Sequence, residues 1–480
     1  MQLSDKILKD AVSTLSGKVP RALLVGGAVR DLFLGVPTKD ADVEVYGIEP
    51  DALEKILREL FTQVDVVGAS FGVYKVSLDE GRMLDVAIPR TESKTGKGHK
   101  GFEVIGDPSL SVEAALRRRD FTINAIAMDV STNETIDPYS GRVDLANKLL
   151  RVVDEKTFVE DPLRVFRGVQ FAARFGLSVE PKTFALMKQM VEDGALGELS
   201  KERVTDEWKK LLLKSPKPSI GFTLMRDLGI IERYYPELFA MIGTPQEPDW
   251  HPEGDVWIHT LLAVDECARI VRGRVDVKVD PDDTIAMLGA VCHDIGKPLV
   301  TKTIDGKIRA LGHEEAGVSL TKSFLQKFTF GDDVTHDVAA IVRDHLKPTM
   351  LYRSFQKGEL NEKQYANAVR RLIKRLGGTS LEAFLAVTES DTRGRGTDAA
   401  KVDYTPGLYL RETVKKFDLE SAAKIPLLTG AELMAEFNMT PGPKIGEVMK
   451  AVESARDEGQ LETPDDARVF VREFMYTENK

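Results

Sequence analysis

The stretch LLVGGAVRDLFLGVPTKDADVE, residues 23–44, decides the fold of the first part of the chain. It starts in a short apolar run, residues 22–25, which is long enough for a buried strand. Gly26 and Gly27 follow at once. Two glycines between a strand and a helix let backbone N–H groups approach a phosphate without a Cβ in the way. The stretch therefore predicts a strand, a phosphate-binding turn and a helix.

Charged side chains follow the glycine turn at two places. The pattern predicts a helix over residues 28–34, and Arg30, one turn into it, is close enough to pair with a bound phosphate. Asp40 and Asp42 begin a second strand, where alternation places both carboxylates on one face. Two such carboxylates beside a phosphate site suit a pair of Mg²⁺ ions for phosphoryl or nucleotidyl transfer. Either motif alone is common in loops without function, so the prediction depends on their order and closeness.

These motifs resemble the nucleotidyltransferase superfamily of the DNA polymerase beta type. The longer pattern GGAVRD-L-LG-P-KD-D resembles the class II tRNA nucleotidyltransferases (CCA-adding enzymes) and bacterial poly(A) polymerases. The resemblance implies a third metal carboxylate on a neighbouring strand, and Asp85 in the apolar run 83–88 fits that place. The alternative is a strand-end aspartate that faces solvent. The polar stretch 91–101, which contains His99, predicts a mobile basic surface loop, and the resemblance implies that this loop helps to shape the nucleotide pocket.

Composition and charge limit the class of protein. The chain has 480 residues, of which 42% are hydrophobic, so we expect about three domains of roughly 150 residues each. No apolar run is long enough to predict a membrane span, and the N-terminus resembles an amphipathic helix rather than a signal peptide. Cys267 and Cys292 are expected to be reduced core thiols of a cytoplasmic protein. The net charge of −10 argues against loose polyanion binding but not against a specific RNA site.

Three consecutive arginines at 117–119 form a second motif. They fan around a helix, so at least one must point toward the sheet, where a buried guanidinium needs an anionic partner such as a triphosphate. The run RRDFTINA matches the RRD-TINA motif of the resembled family, which implies that Arg119 binds the nucleotide phosphates. Asp120 is expected to hold an arginine in place.

The run EDPLRVFR opens a further helix. Asp161 is a natural N-cap with Pro162 at the first helical position, and capping alone would explain it. In the resembled family the EDxxR motif serves as a protein template for the incoming base. The resemblance implies that Asp161 and Arg164 hydrogen-bond the base edge of CTP or ATP and that Arg167 lies in the nucleotide site. Many bacterial relatives carry an arginine where this chain has Gln170, a departure that removes a positive charge.

Histidines and aspartates recur in the order H…HD…H…H…D between residues 259 and 391. Such side chains suit a divalent transition metal, although a single histidine on an apolar helix is usually a core residue. The order resembles the HD phosphohydrolase superfamily, which implies one metal at four ligands and a second ion at two further histidines. The first set is His259, His293, Asp294 and Asp391, and the second is His313 and His345. Lys297 is expected either to hold a substrate phosphate or to cap its helix.

The metal implied at this HD site is Ni²⁺, Mn²⁺ or a similar transition metal, or else Mg²⁺. It would supply hydroxide at neutral pH and hydrolyse phosphate esters. In some bacterial tRNA nucleotidyltransferases a similar HD domain acts on 2′-phosphates and 2′,3′-cyclic phosphates. The alternative is an HD shell that binds metal but does little chemistry.

The resemblance covers nearly the whole chain and implies an α+β fold. The implied domains are a mixed-sheet nucleotidyltransferase head at 1–150, a helical neck and body at 151–250, the HD domain at 251–400 and a helical tail at 401–480. The implied partners are tRNA, CTP and ATP, with no DNA and no membrane, and a monomer or homodimer in the cytoplasm.

The implied function is template-independent addition of C, C and A to the 3′ end of tRNA, with release of pyrophosphate. The catalytic aspartates would position Mg²⁺, and the glycine turn with its arginines would hold the triphosphate; these residues are Asp40, Asp42, Asp85, Gly26, Gly27, Arg30 and Arg119. Poly(A) polymerases and enzymes that add only CC or only A share these motifs, but the template pair and the HD domain favour CCA addition. A metal-dependent phosphohydrolase whose head only binds nucleotide or RNA is a second alternative.

Overall fold

The computed structural model describes residues 5–38, 40–68, 72–94, 102–272, 281–397, 401–419, 426–457, 460–461 and 463–478. The chain divides into two compact units, Met1–Ile230 and Ile231–Lys480. The finer division into four domains stays a prediction. Among the helices of the described ranges, none combines the length and the apolar character needed to cross a bilayer.

The first unit contains a seven-stranded mixed sheet in the order β3-β4-β5-β2-β1-β8-β9, in which only β2 and β5 run parallel. Its strands are β1 (Arg21–Val25), β2 (Asp40–Tyr46), β3 (Val64–Gly68), β4 (Val73–Ser77), β5 (Met83–Ala87), β8 (Ala127–Asp129) and β9 (Thr135–Ile136). Two separate pairs are β6 (Arg90–Lys94) with β7 (Phe102–Gly106), and β10 (Leu149–Leu150) with β11 (Ser178–Val179).

Helices cover this sheet and then continue the unit. They are α1 (Lys6–Ser16), α2 (Gly27–Leu34), α3 (Pro50–Leu60), α4 (Val112–Arg117), α5 (Gly141–Ala146), α6 (Glu155–Phe158), α7 (Leu163–Phe175), α8 (Pro181–Glu192), α9 (Lys201–Lys214) and α10 (Pro218–Asp227). The predicted amphipathic N-terminal helix is confirmed, because α1 buries Leu8, Val12 and Leu15. Helix α7 packs against α9 and α10.

The predicted loop at 91–101 is wrong at its start, because residues 91–94 belong to strand β6. Strand Arg90–Lys94 pairs with strand Phe102–Gly106, and the pairing satisfies backbone hydrogen bonds of both strands. The polar composition of the stretch does not by itself predict this pairing. Residues 95–101, including His99, lie outside the described residues.

Where the structure describes the second unit, it is helical apart from one hairpin, β12 (Lys302–Ile304) with β13 (Lys307–Arg309). Its helices are α11 (Ile230–Tyr234), α12 (Pro236–Phe239), α13 (Val256–Arg272), α14 (Pro281–Cys292), α15 (Lys297–Val300), α16 (His313–Leu325), α17 (Asp332–Asp344), α18 (Lys347–Gln356), α19 (Glu362–Leu376), α20 (Leu381–Gly394), α21 (Thr405–Lys416), α22 (Gly430–Phe437), α23 (Pro443–Asp457) and α24 (Pro464–Glu478). Helix α13 packs on α14 and α20, and α16 on α17. Both cysteines are buried and free, as predicted.

Candidate active sites

The glycine turn brings an arginine against the backbone. Strand β1 ends at Val25, and Gly26 has φ 65° and ψ −128°, a conformation that favours glycine. A Cβ at Gly26 would collide with the guanidinium of Arg119. The turn therefore needs glycine both for its dihedral angles and for its close contact with Arg119. This contact places Arg119 beside the N-terminus of α2, where the sequence predicted a phosphate.

The predicted catalytic aspartates lie on two neighbouring parallel strands. Asp42 on β2 is directly opposite Asp85 on β5, and Asp40 is two residues earlier on the same face. Within the described residues, the oxygens of these three carboxylates do not form a group closer than 4.8 Å. The pKa of Asp42 is raised mainly by partial burial at the base of a recess, with Asp85, Glu44 and Asp40 adding like charges while Arg119 opposes the shift. Mutually repelling carboxylates of this kind suit a hard divalent cation.

Glu44 is a functional residue that the sequence reasoning missed. It is buried, and its Oε1 accepts hydrogen bonds from Arg118 Nη2 at 3.2 Å and from Arg119 Nη2 at 3.0 Å. Tyr46 donates to its Oε2 at 3.0 Å. Burial raises the pKa of Glu44, but the charges of Arg119 and Arg118 outweigh it, so the net pKa is lowered. Two-residue alternation from Asp42 would have placed Glu44 on the same face of β2.

The three arginines fan out as predicted. Arg118 and Arg119 turn toward the sheet, while Arg117 pairs with Asp154 at 2.7 Å on the exposed side. The anionic partner that the sequence required is therefore supplied within the protein by Glu44. A bound triphosphate would compete with Glu44 for these two guanidinium groups.

Arg30 already donates to protein groups from each of its three guanidinium nitrogen atoms. Its Nε and Nη2 donate to Asp31 Oδ1 at 2.9 and 2.7 Å, and its Nη1 donates to Asn124 Oδ1 at 2.6 Å. Its guanidinium also lies 4.4 Å from the ring centre of Phe175 and 5.3 Å from that of Phe171. These contacts give Arg30 a bracing role between α2 and α7. Its contact with phosphate stays a prediction.

The start of α7 differs by one residue from the prediction. Pro162 is the N-cap rather than the first helical residue, and the helix begins at Leu163. Asp161 still satisfies the helix end, because the Leu163 N–H donates to its Oδ1 at 3.1 Å. The other oxygen of Asp161 accepts from Arg203 Nη2 at 2.9 Å. Capping of α7 and the contact with Arg203 therefore use different oxygens of one carboxylate.

The two arginines of the same motif are also held by protein groups. Arg164 donates to the carbonyl oxygens of Thr157 at 2.8 Å and Arg118 at 2.7 Å. Arg167 Nε donates to Asp120 Oδ2 at 2.6 Å. The prediction that Asp120 holds an arginine is confirmed. Although burial raises the pKa of Asp120, Arg167 and further hydrogen bonds lower it overall.

These residues surround one recess of about 450 Å³ in the first unit. Its cationic lining is Arg30, Arg90, Arg118, Arg119, Arg164, Arg167, Arg174, Arg203, Lys210 and Lys214. Its carboxylates are Asp42, Asp120 and Asp161. This surplus of positive charge suits a polyanion such as a nucleoside triphosphate. The sequence analysis did not predict Arg174, Arg203, Lys210 or Lys214 as site residues, although the spacing 203, 210, 214 puts three cations on one face of α9.

Gln170 also lines this recess from α7. It is 2% exposed, and its Oε1 has no hydrogen-bond partner among the described residues. An unpaired buried amide group costs free energy unless a ligand or water completes it.

The second unit brings the predicted HD residues together in two groups. His259, His293 and Asp391 form one group, and Asp294, His313 and His345 form the other, with the ligand atoms of each group within 4.8 Å. Asp294 was predicted in the first set, but it lies between the two: its Oδ2 is 3.3 Å from His293 Nε2 and its Oδ1 is 3.3 Å from His313 Nε2. The turn after α14 carries both His293 and Asp294, so neighbouring residues reach both groups.

Four of these histidine rings are oriented by hydrogen bonds from Nδ1. His293, His313 and His345 donate to the carbonyl oxygens of Ala290, Ala310 and Val342, at 2.8, 2.8 and 2.7 Å. His259 Nδ1 lies 2.7 Å from Glu253 Oε1. A carbonyl oxygen can only accept a hydrogen bond, so Nδ1 carries the proton and Nε2 of a neutral ring carries the lone pair. The Nε2 atoms of these rings face one another.

The distances between these inward nitrogen atoms are short. His293 Nε2 is 3.2 Å from His259 Nε2, and His313 Nε2 is 3.4 Å from His345 Nε2. Burial and the charges of His313 and His293 lower the pKa of His345 to about 3, so this ring is neutral. The pKa values of Asp294 and Asp391 stay well below their usual range, because neighbouring cations outweigh the effect of burial. Converging imidazole nitrogen atoms and ionised carboxylates fit a divalent transition metal.

Two further residues orient the HD ligands and were not predicted. Glu253 Oε1 lies 2.8 Å from His251 Nδ1 as well as 2.7 Å from His259 Nδ1. These hydrogen bonds lower the pKa of Glu253 to about 2 against the effect of burial. Arg395 Nη2 lies 3.3 Å from Asp391 Oδ1. The spacing H-x-E before His259 was the available signal for Glu253.

Lys297 lies in the wall of a cavity of about 310 Å³ that opens onto the HD ligands. Its Nζ is 2.7 Å from Asp294 Oδ2 and donates to Gln246 Oε1 at 2.7 Å. This position leaves a phosphate contact open as a prediction, since the cavity also contains Asp294, His313 and Asp391.

Comparison with known proteins gives three family models along the chain. The poly A polymerase head domain matches residues 22–151, the probable RNA and SrmB-binding site of polymerase A matches 176–242, and the HD domain matches 256–376. The multifunctional CCA protein of Laribacter hongkongensis (strain HLHK9) is 40% identical over 307 residues, which are 64% of this chain and 70% of that protein.

Solved structures share the fold over nearly the whole chain. The CCA-adding enzyme of Bacillus stearothermophilus in complex with CTP matches with a TM-score of 0.62 and 22% identity, covering 99% of both chains. The Thermotoga maritima CCA-adding enzyme complexed with tRNA matches with a TM-score of 0.57 and 20% identity, covering 99% of this chain and 97% of that one. The predicted α+β fold, with a mixed-sheet head followed by helical parts, is confirmed.

Proposed function

The chain belongs to the family of the multifunctional CCA protein, and we propose that it adds C, C and A in turn to the 3′ end of tRNA. The substrates are CTP and ATP, and pyrophosphate is released. The observation that carries the proposal is the cationic recess, which has Asp42 at its base and Asp161 and Arg164 in its wall. One site can therefore hold a triphosphate and offer an acceptor and a forked donor to a base edge.

Each part of the recess has a distinct task in this proposal. Asp40, Asp42 and Asp85 would hold Mg²⁺, which supplies charge stabilisation for the attacking 3′-hydroxyl and the leaving pyrophosphate. The backbone N–H of Gly27 would receive a phosphate, whereas the N–H of Gly26 donates to the Ile126 carbonyl oxygen at 3.3 Å, so Gly26 would act through its close contact with Arg119.

Recognition of the base uses groups that already have protein partners. Asp161 must exchange its contact with Arg203 for a contact with the base, and Arg164 must release a carbonyl oxygen. Arg167 keeps its place through Asp120. The exchange makes binding selective, because a base that cannot replace these hydrogen bonds leaves polar groups unpaired.

The test is incorporation of labelled CTP and ATP, separately and together, on tRNA transcripts that lack CCA, end in CC, or are complete. Addition of C, C and A that then stops supports CCA addition. Long A tails would identify a poly(A) polymerase, and use of only one nucleotide would identify a partial enzyme. Asp42→Asn should abolish incorporation, whereas Glu54→Gln, which changes an exposed carboxylate of α3, should not.

We also propose that the HD site hydrolyses 2′-phosphate or 2′,3′-cyclic phosphate esters. The convergence of four inward-facing histidine nitrogens supports a metal at this site, either a transition metal such as Ni²⁺ or Mn²⁺, or Mg²⁺. The metal would supply a hydroxide at neutral pH. Lys297 and Arg395 are placed to bind the phosphate. His293→Ala should lose hydrolysis and retain CCA addition, and Asp42→Asn should do the reverse; loss of both activities in either variant would contradict two independent sites.

The setting in the cell also belongs to this proposal. We infer a cytoplasmic enzyme that acts on tRNA rather than DNA, as a monomer or homodimer. The buried free thiols of Cys267 and Cys292 support a reducing compartment.

A further inference from the structure

The mouth of the HD cavity carries an exposed aromatic ring that the hydrolysis itself does not require. Trp250 is 51% exposed and lines the cavity, with the guanidinium of Arg353 5.6 Å from its ring centre. The other two tryptophans of the chain, Trp208 and Trp257, are 1% and 2% exposed. A large indole left half in water beside a cavity is typical of a ligand-binding surface.

The backbone that carries the indole is held in place by hydrogen bonds. The backbone N–H groups of Trp250 and His251 both donate to the carbonyl oxygen of Glu247, at 3.0 and 2.9 Å. The Glu247 side chain accepts from the N–H of Ile308 in strand β13 at 2.8 Å. His251, the next residue, contacts Glu253, which orients His259. The fold thus fixes the backbone from which the Trp250 ring extends, close to the residues that orient His259.

The chemistry of the cavity changes from its base to its mouth. The base holds Asp294, His313 and Asp391, with Lys297 and Arg395 as cations. The mouth holds Trp250 with its stacked Arg353 and the apolar side chain of Met350. A volume of about 310 Å³ is at the small end of known ligand sites. A molecule that fits both ends has a phosphate ester at one end and a flat aromatic ring at the other.

We propose that Trp250, with Arg353 against its ring, is a stacking subsite for the base of a ribonucleotide whose phosphate ester enters the HD site. The proposal rests on the hydrolase function proposed above and specifies its substrate. Stacking of a base on an aromatic side chain changes affinity by about 5- to 100-fold. Because every base has a π-face, the subsite tolerates different bases. The nucleotide is either free or the 3′ end of an RNA, since both present the same base and phosphate.

The experiment uses the full-length protein with Trp250→Ala and Trp250→Phe. The matched control is Phe417→Ala, which removes another exposed aromatic ring with a cation, Lys416, 5.3 Å from its centre. The substrates are adenosine 2′-monophosphate and glycerol 2-phosphate, which has no base. We expect Trp250→Ala to lower kcat/KM for the nucleotide about 5- to 100-fold and to leave glycerol 2-phosphate unchanged. The Phe variant should keep most of the activity.

The outcomes separate this proposal from the hydrolase proposal. Equal losses on both substrates would mean that Trp250 only supports the fold, and no loss on the nucleotide would overturn the subsite. An RNA ending in a 2′-phosphate distinguishes the sources: a loss of equal size on RNA and on free nucleotide means that the free nucleotide is sufficient, and a larger loss on RNA supports the RNA end.

A second measurement applies even if neither substrate is hydrolysed, an outcome that would contradict the hydrolase proposal alone. Acrylamide quenching of tryptophan emission reports mainly on Trp250, because the other two tryptophans are buried. Adenosine 2′-monophosphate should protect this emission in chelator-treated protein, inorganic phosphate should not, and Trp250→Phe should lose the effect. No protection by the nucleotide would overturn the subsite.

Discussion

Replacing Glu44 by Gln tests whether this buried carboxylate positions Arg118 and Arg119, the two arginines for which a triphosphate would compete. Glu44 is the shared partner of Arg118 and Arg119, whose side chains are 21% and 19% exposed. Removing one partner of a buried ion pair typically costs about 3–5 kcal/mol, and the partial exposure of both arginines favours the lower end, about 3 kcal/mol. For a unit of this size the loss corresponds to a Tm roughly 6–12 °C lower.

The same change should alter nucleotide binding in the opposite direction. In Glu44→Gln the two guanidinium groups lack their counter-charge, so a triphosphate no longer competes with a carboxylate for them. We expect ATP to raise the Tm of the variant by more than that of the unchanged protein. We also expect kcat to fall by about tenfold or more while KM for ATP does not rise, because Arg119 is no longer aimed over the glycine turn.

The pH dependence follows from the lowered pKa of Glu44. A carboxylate whose pKa is depressed by folding stabilises the protein above its unfolded pKa, here 4.5, and that contribution is lost as the pH falls through the folded pKa. The difference in Tm between the unchanged protein and Glu44→Gln should thus be constant from pH 7 to pH 5 and shrink below about 4.5.

Calorimetry with and without ATP measures both effects, and Glu54→Gln is the control. Glu54 pairs with Arg58 at 2.9 Å on the exposed side of α3, a pair worth less than about 1 kcal/mol. If Glu44→Gln matches Glu54→Gln in Tm and in its response to ATP, the assigned role of Glu44 is refuted.

Three further predictions concern other residues. Glu253→Ala should weaken metal binding at the HD site about 10- to 100-fold, because His259 loses the acceptor that orients it, and metal titration by calorimetry measures this; unchanged affinity would contradict the role of Glu253. Gln170→Arg should lower KM for CTP and ATP up to about tenfold by adding a cation to the recess, with a lower Tm from repulsion; steady-state kinetics that show no change in KM would exclude a contact there. Mg²⁺ affinity of the head should fall as the pH is lowered from 7.5 to 4.5, because burial raises the pKa values of Asp42 and Asp85 and protons then compete with the metal; a pH-independent titration would contradict this.

Local sequence patterns predicted the parts of the fold whose signals lie within about twenty residues of one another. The Gly-Gly turn between a strand and a helix, and the alternation that places Asp40 and Asp42 on one face, follow from backbone geometry alone. The strand at 90–94 was not predicted, because its polar composition resembles that of a loop. Its partner strand, 102–106, also lies beyond the polar stretch 91–101, so the local sequence pattern did not indicate the pairing.

The sequence predicted which residues belong to the candidate sites, but not which of them contact one another. The order of histidines and aspartates identified the HD ligands, yet only the packing of helices shows Asp294 between the two groups. Similarly, the arginine run required an anion, but the choice of Glu44 depends on how α4 meets strand β2, more than seventy residues earlier. Such long-range matches depend on register and packing, which composition and spacing do not encode.

The four HD histidines are aimed by backbone carbonyls and by Glu253 rather than by an ion, and this has a consequence for metal supply in the cell. Because the fold already orients the four imidazole rings, an ion can bind without reorganising them. Ions of similar size and ligand preference would then exchange without unfolding, and occupancy would follow the Irving–Williams order together with whichever ions the cell makes available. The HD site would in this way respond to the divalent ions that the cell supplies, while the head, whose predicted ligands Asp40, Asp42 and Asp85 offer only oxygen atoms, would not.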